Sequence, residues 1–342
     1  MTNTNLSNAK KAKNDEFYTQ WGDIEKEMNV YLEFNPDVFR DKTILLPCDD
    51  PEWSNFTKYF AHNFNNFGLK KLISTSYAHA SEQIETKTKI KGKVFTLEAK
   101  DINKRSEIDI DDLEFEYLSD DGDFRSEEVK KLRDEADIII TNPPFSLFRE
   151  FLAWIMESDK EFCIIGNMNA VTYKDVFPLI ARNQMWLGVT RTGSGSMWFR
   201  VDGNFPVKTG QKWEEGKRYQ TIGNSAWFTN IDHGRRHQPL NLMTRKDNLK
   251  FNNHKGKVTY PEYDNYDAIE VPYVDAIPSD YDGVMGVPIG FLGKYNPDQF
   301  EIVSFRKGKD GKDLVYSLSR VQPSRVQPYL RILIKHSDTG TH

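Results

Sequence analysis

An α/β fold with a doubly wound, mainly parallel sheet is predicted for roughly the first 190 residues. Two patterns and one contrast carry that expectation. Short apolar runs rich in β-branched residues, such as Ile138-Ile139-Ile140 and Phe162-Cys163-Ile164-Ile165, stop abruptly at polar or proline residues, as buried strands do. Between them lie segments with apolar residues at helical spacing, as in Leu147, Phe148, Phe151, Leu152 and Ile155. Strand–helix alternation places helices over both faces of a parallel sheet. From about Thr190 the texture changes to irregular basic and aromatic sequence, which sets off a second region from residue 191 to 342.

Taken in order, residues 1–14 are polar and basic, with Lys10, Lys11 and Lys13 and no acid, and read as a flexible tail. Asp15 to Gln20 is a weak helix-start signal, and Glu25 to Tyr31 reads as a helix. Lys42-Thr43-Ile44-Leu45-Leu46-Pro47 is a first parallel strand with Cys48, Asp49 and Asp50 at its tip. Asp50 before Pro51 also suits a helix N-cap. From Pro51 to Phe67, Trp53, Phe56, Tyr59, Phe60 and Phe64 form a helical stripe expected to be core. Leu69 to Tyr77 is a second strand, tipped by Ser76 and Tyr77. Residues 78–118 read as a polar loop with a hairpin-like Lys91-Gly92-Lys93 turn. The acids of Ile108-Asp109-Ile110-Asp111-Asp112-Leu113 lack the partner lysine motif of a metal nuclease. Asp120-Asp121-Gly122-Asp123-Phe124-Arg125 carries an Asp-Gly turn.

After the strand Ile138–Ile140 come Thr141, Asn142, Pro143, Pro144 and Phe145, then a helix from Leu147 to Met156. Phe162 to Gly166 is the next strand, with Asn167 and Asn169 at its tip; Val176 to Asn183 is helical and Met185 to Val189 a further strand. Arg191-Thr192-Gly193-Ser194-Gly195-Ser196 reads as a flexible basic loop. Beyond it, Trp227 to Asn230 is expected to return to the first sheet, and Tyr329 to Ile334 to close a C-terminal element.

Hydrophobic residues make up 38% of the 342, enough for a core. There is no run of 18 apolar residues and no apolar secretory segment, so neither a membrane span nor export is expected. Two cysteines, Cys48 and Cys163, form no disulfide framework and no metal-ligand spacing. A cytoplasmic, metal-free monomer is the expectation. The net charge of −5 conceals a segregation: 16 acids against 7 bases between Glu98 and Asp137, but 13 bases against 5 acids between Arg191 and Tyr260. Such a division fits a basic half that meets phosphates.

The chemistry concentrates at Asn142-Pro143-Pro144-Phe145. In an open α/β sheet, ligands bind beyond the carboxyl ends of the strands. Here two prolines fix a turn at such an end and present one amide and one aromatic ring. An exocyclic amino group on a purine is a poor nucleophile, because its lone pair is delocalised into the ring. Two acceptors aimed at its N–H bonds favour the pyramidal form. The Asn142 side-chain carbonyl is one candidate, the Pro143 main-chain carbonyl the other, and Phe145 can stack on the base. An Asn/Asp-Pro-Pro-Phe/Tyr string arises by chance in only about 0.6% of chains this long. The prolines also suit a helix start at Ser146.

This motif resembles that of amino-group DNA methyltransferases, and the string TNPPFSLFREFL resembles the EcoRI-type adenine-N6-specific modification methylases. DEFYTQ, CDDPEWSNFTKYF, DGDFR, DNYDAIEV and GVMGVPIGFL also look like strings of that family, so the likeness reaches much of the chain. It implies a Rossmann-like methyltransferase sheet in residues 15–190, S-adenosylmethionine as cofactor, and a C-terminal DNA target-recognition region. It places Phe17, Tyr18 and Thr19 at the methionine end of the cofactor, Cys48, Asp49 and Asp50 at the cofactor loop, and Asp123 and Phe124 at its adenine. The family's usual glycine-rich loop is absent, since no glycine occurs from Lys42 to Ala61, a departure that the EcoRI type resembles. In its place Asp49 or Asp50 can pair with the cofactor's amino group. No carboxylate stands where the ribose would be held; Ser76 or Tyr77 could serve. Asn167 and Asn169 could touch the target nucleotide. Arg191, Arg218, Arg235, Arg236 and Arg245, with Trp213 and Tyr219, are the arginine–aromatic mix that reads DNA.

The sequence is therefore read as a sequence-specific, double-stranded-DNA adenine-N6 methyltransferase that flips its target base. The alternatives are an RNA or protein-glutamine methyltransferase, which share the motif, or a non-catalytic DNA-binding protein.

Overall fold

A computed structural model describes residues 18–78, 91–102, 114–191, 197–201, 210–221, 224–252, 258–318 and 324–337. The chain forms two compact units, Met1–Val176 with Leu187–Asp232, and Phe177–Trp186 with His233–His342.

The first unit is built on an eight-stranded sheet. Its strands are β2 (Thr43–Leu46), β3 (Lys71–Thr75), β4 (Lys93–Glu98), β5 (Glu116–Tyr117), β6 (Ile138–Thr141), β7 (Glu161–Asn167), β8 (Trp186–Arg191) and β12 (Ser225–Thr229), in the order β5-β4-β3-β2-β6-β7-β12-β8. The four central strands are parallel, with Ile44 opposite both Leu72 and Ile138, and Ile139 opposite Phe162. Antiparallel pairing continues the sheet outward, β4 against β3 and β5 against β4 on one side, and β12 against β7 on the other, with Trp227 opposite Ile165. From β2 the chain runs outward to β3, then crosses to β6 on the opposite side. The strand order therefore reverses between β2 and β6, and at such a reversal the loops beyond the strand ends diverge to leave a crevice.

Both faces of this sheet are covered. Ile44, Leu46, Leu72, Ile138, Ile140, Cys163, Ile165 and Trp227 join one buried cluster with Ile24, Met28 and Tyr31 of α1 (Trp21–Phe34) and Phe56, Tyr59 and Phe60 of α2 (Asn55–His62). The alternate residues Leu45, Ile73, Ile139 and Ile164 are also buried and turn to the other face. There α4 (Phe148–Met156) packs, with the Phe148 ring 5.0 Å from Phe228. A Cβ at Gly166 would come within 2.3 Å of the Phe148 ring, so helix and strand meet there only because the residue is glycine. Beside α4 lies α3 (Glu127–Glu135), capped by Ser126, whose Arg133 donates 2.8 Å to the Trp154 carbonyl. Glu27 of α1 is fully buried and accepts from the Val189 and Thr190 amides at 2.9 and 2.6 Å and from the Tyr31 hydroxyl at 2.9 Å. Burial pushes its carboxyl up, against those hydrogen bonds.

A second, four-stranded sheet runs β1 (Tyr18–Thr19), β9 (Trp198–Arg200), β11 (Lys217–Thr221), β10 (Gln211–Glu214), antiparallel throughout. β10 and β11 are joined through Glu215 and Gly216, with φ of 50° and 73°; two successive positive φ angles are what a tight hairpin turn with the right strand twist requires.

The second unit holds α5 (Phe177–Ala181), α6 (Arg245–Phe251) and a sheet of β13 (Ile269–Glu270), β14 (Met285–Pro288), β16 (Arg331–His336) and β15 (Phe300–Phe305), paired in that order. Phe177 stacks on Phe305 at 4.8 Å. Glu270, almost wholly buried, takes a two-pronged contact from Arg331, Nε at 2.9 Å and Nη2 at 2.6 Å, and accepts from the Tyr263 hydroxyl.

Several expectations are modified. The helix expected over Pro51–Phe67 is split: Pro51–Trp53 is a turn, α2 follows, and Phe64–Phe67 is a separate single turn. Ser54, not Asp50, caps α2 by accepting from the Phe56 amide at 3.0 Å; Asp50 instead accepts from the Glu52 amide. Trp53, ahead of the cap, is 61% exposed rather than core. Lys91-Gly92-Lys93 makes no turn, because Gly92 bonds to Asp120 and Leu118 and leads into β4. The expected boundary at residue 190 falls inside the first unit, which β9 to β12 rejoin by pairing with β1 and β7. Phe17, the residue 1–14 tail, the 192–196 loop and Asp109, Asp111 and Asp112 lie outside the described residues. Among the described residues no helix is long and apolar enough to cross a membrane, and no group of three or more His, Cys, Asp or Glu is placed to hold a metal.

Candidate active site

The tips of β2 and β6 flank the point where the strand order reverses, and a buried carboxylate joins them. Asp49, three residues beyond β2, is 6% exposed. The Ser54 hydroxyl donates to its Oδ1 at 2.7 Å and the Thr141 hydroxyl to its Oδ2 at 2.6 Å. Its own amide donates to the Thr75 carbonyl at 2.9 Å, and the Ser74 hydroxyl donates to its carbonyl. Burial pushes the Asp49 carboxyl up to about 7; the two hydroxyls oppose that shift, and the neighbouring charge of Asp50 adds to it. Asp50 is more accessible and pairs with Lys93 at 3.2 Å. Cys48 is partly exposed and forms no disulfide.

At the end of β6, Thr141 is fully buried, Asn142 half-buried and Pro143 buried. Pro144 begins a single 3-10 turn, Phe145–Leu147, which runs directly into α4; strand tip and helix start thus share the two prolines. The Phe145 ring packs against the main core cluster. The Asn142 carboxamide is tied to β1: its Nδ2 donates to the Thr19 hydroxyl at 3.3 Å. Thr19 is held in turn by Asn55, whose Nδ2 donates to the Thr19 carbonyl at 2.7 Å. Thr19, Asp49 and Asn142, far apart in sequence, therefore meet at one place. The side chain of Tyr18 lies outside the described set.

The tip of β3 meets the Asp120–Arg125 loop. Ala78 donates to the Asp121 carbonyl at 2.7 Å and Gly92 to the Asp120 carbonyl at 2.9 Å. Gly122 has φ of 77°, and a Cβ there would sit 2.3 Å from the Ser76 carbonyl, so this approach needs glycine. Ser76 accepts from the Lys93 amide at 3.2 Å. Asp123 is gripped by Arg125, at 2.8 Å through Nε and 2.7 Å through Nη2. Phe124 is 5% exposed and stands edge-on to Phe151 and Trp154, inside the α4 layer. Tyr77 keeps an accessible edge; burial raises its hydroxyl pKa, and the charges of Asp121 and Asp123 add to that.

At the β7 tip, Asn167 caps a short 3-10 turn by accepting from the Asn169 amide at 2.9 Å, and Asn169 is exposed. The arginines divide. Arg218 is buried and donates to Gln220 at 3.2 Å. Arg236 is buried 3.5 Å over the Trp186 ring and donates to Asn183. Arg235 and Arg245 are exposed, Arg245 lying 5.2 Å from the Tyr281 ring. The Arg191 side chain is outside the described set.

No sequence motif assigns a role to Ser54, Asn55, Ser74 or Thr141, yet they hold this site together. One signal was available: a buried carboxylate needs donors, and hydroxyl residues stand at each neighbouring strand tip. The donor set suits a cofactor with a cationic amino-acid end and a nucleoside end. The Asp50 carboxylate would take the first, and Ser76 and Tyr77 beside the Asp121-Gly122-Asp123 turn the second.

Comparison with known proteins shows the family. The family described as adenine-specific methyltransferase EcoRI matches residues 5–337. The Type II methyltransferase M.EcoRI of Escherichia coli is 45% identical over 337 residues, covering 98% of this chain and 97% of that protein. M.MpnI of Mycoplasma pneumoniae and M.MgeORF184P of Mycoplasma genitalium, also Type II methyltransferases, are each 36% identical over 302 residues, covering 87% of this chain and 84% and 85% of theirs. No solved structure matches. With the family matched over nearly the whole chain and the Asn142-Pro143-Pro144-Phe145 turn at the sheet's reversal point, this chain belongs to the EcoRI-type adenine-specific methyltransferases.

Proposed function

We propose that the chain is a site-specific, S-adenosylmethionine-dependent DNA adenine-N6 methyltransferase of the restriction-modification type. The observation that carries the reading is the Asn142 carboxamide, oriented by Thr19 at the tip of β6 beside the β2 tip. When bound, the cofactor supplies a methyl group on a sulfonium, an electrophile that needs no metal. The chain's own residues do the rest. The Asn142 oxygen and the Pro143 carbonyl accept from the two N–H bonds of the adenine amino group, drawing it toward the pyramidal, nucleophilic form. The two prolines fix the turn, so these acceptors need no reorganisation as charge develops. Phe145, braced against the core, offers a ring edge or face to the base.

Asp50 is the better partner for the cofactor's amino group, because Asp49 is enclosed whereas Asp50 keeps an accessible edge at the β2 tip. Thr19 borders the methionine end, Cys48 the loop between, and Ser76 the ribose; Asp123 borders the adenine end, with Phe124 packed behind it against Phe151 and Trp154. An adenine inside a duplex is out of reach of these groups, so it must be everted, at a cost of a few kcal/mol. Asn167 and Asn169 border that path. Residues 191–342 supply the recognition surface, where Arg235 and Arg245 are poised for phosphates and bases.

The test is methyl transfer from labelled S-adenosylmethionine to duplex DNA, RNA and protein, followed by analysis of the modified nucleoside. N6-methyladenine in DNA at one short sequence is the expected product. Labelled RNA or glutamine, or no transfer at all, would overturn the reading.

A further inference from the structure

We propose that Asp49 is a positioning residue for methyl transfer: its carboxylate grips the Thr141 hydroxyl from behind and thereby fixes where Asn142 points. The proposal rests on the function given above and assigns Asp49 a role other than cofactor binding.

The geometry has three parts. Thr141 is the last residue of β6, immediately before Asn142, and its hydroxyl gives its proton to Asp49 Oδ2 at 2.6 Å. The other oxygen, Oδ1, takes the proton of Ser54 at 2.7 Å, and Ser54 caps α2. From β3, Thr75 accepts from the Asp49 amide and Ser74 donates to its carbonyl. One carboxylate thus ties together the β2 tip, the β6 tip and the start of the helix that also carries Asn55. Asn55 holds Thr19, and Thr19 holds Asn142 from the other side. Asn142 is therefore set from two directions, by Asp49 through Thr141 and by Asn55 through Thr19.

The charge state of Asp49 decides whether this clamp is complete. A carboxylate only accepts, so it can take both hydroxyl protons at once. A neutral acid must donate one proton itself, so one of the two hydroxyls has to turn its hydrogen elsewhere. The groups facing Asp49 are Ser54 from the α2 cap, Thr141 from β6, Ser74 and Thr75 from β3, and Asp50 on its own segment. Asp50 is the sole ionisable group among them, and it is an acid. Among the described residues no cation contacts this carboxylate, and burial raises its pKa to about 7. The complete clamp belongs to the ionised form.

The test uses the full chain with Asp49→Asn, Thr141→Val and Thr141→Ser. Readouts are single-turnover methyl transfer from pH 5.5 to 8.5 and calorimetric binding of S-adenosylmethionine. Asparagine keeps the size of Asp49 and cannot ionise. The proposal expects Asp49→Asn to lower the transfer rate roughly tenfold or more at pH 8. Cofactor affinity should stay within about threefold, and the rate should no longer rise with pH through the neutral range as it does in the unaltered chain. Thr141→Val should lose a similar factor, Thr141→Ser should recover most of it, and Asp49→Asn with Thr141→Val should lose little more than either alone. The Thr141 pair keeps the test decisive if Asp49→Asn folds poorly. A tenfold weaker cofactor affinity with an unchanged rate at saturation would overturn the proposal and return Asp49 to cofactor binding. An unchanged rate and pH profile would overturn it outright while leaving the function standing. An unaltered chain that methylates no adenine would overturn both.

Discussion

Replacing Asp49 by asparagine should stabilise the first unit above neutral pH while it slows the reaction. The carboxyl is held at about 7 in the folded chain, against an ordinary value of 3.8. Between those values the folded state binds the proton and the unfolded state does not. Stability is therefore greatest below the unfolded value and falls as pH rises toward the folded one, opposite in sign to a salt-bridged aspartate. At about 1.4 kcal/mol per unit, the window from pH 5 to pH 8 spans roughly 3 kcal/mol of lost stability. Asparagine has no such dependence, and its amide can donate to the Thr141 or Ser54 oxygen. The difference between variant and unaltered chain should thus shift by roughly 3 kcal/mol in favour of the variant across that window. Amide hydrogen exchange in β2 and β6 at pH 5 and pH 8, corrected for intrinsic rates, reads the opening of this unit alone. Histidines and other acids titrate identically in both proteins and cancel. Parallel pH dependences would refute the reasoning, because they would mean that Asp49 is ionised at both ends of the range or at neither.

Other perturbations test other parts of the account. Gly188→Ala would set a methyl 2.2 Å from Glu27 Oε1 and 2.6 Å from the Trp227 Cβ, so a loss of about 1–3 kcal/mol is expected in denaturant unfolding; a neutral effect would mean that α1 moves freely against β8. Arg331→Met should cost about 3–5 kcal/mol in the second unit by leaving the Glu270 carboxylate buried without its partner. Restored stability in the Glu270→Gln, Arg331→Met pair would support that cause. Arg245→Ala should weaken DNA binding about equally on all sequences and lower the slope of log affinity against log salt by about 1. An unchanged slope would remove Arg245 from the phosphate contacts.

The central sheet was legible because buried parallel strands are continuous apolar runs. Ile44-Leu45-Leu46, Ile138-Ile139-Ile140 and Phe162–Ile165 are buried on both faces and need no alternation to be recognised. The Asn142 turn was legible because two prolines after a strand leave the chain few conformations. What escaped was set by long-range contact. The β1–β9–β11–β10 sheet rests on pairs such as Thr19 with Phe199, joined across the chain by strands of two to five residues with no strong pattern. The direction of a charged side chain is likewise invisible: Arg218 and Arg236 raise the local charge of the basic stretch, yet both point inward, onto Gln220 and Trp186. Phe124 sits in a loop string that suggests an exposed ring, but Phe151 and Trp154 of α4 enclose it. The division into units is discontinuous in sequence, since Phe177–Trp186 leaves the first unit and Leu187–Asp232 returns to it.

The claim on which the account depends is that the Asn142 oxygen activates the adenine amine. Single-turnover methyl transfer by Asn142→Ala, at saturating cofactor and DNA, measures it. Loss of one preorganised hydrogen-bonding group to developing charge lowers a rate by about 10²–10³-fold. A fall of at least that size is expected, with binding of S-adenosylmethionine and duplex DNA held within a few-fold. A rate within tenfold of the unaltered chain would contradict the claim.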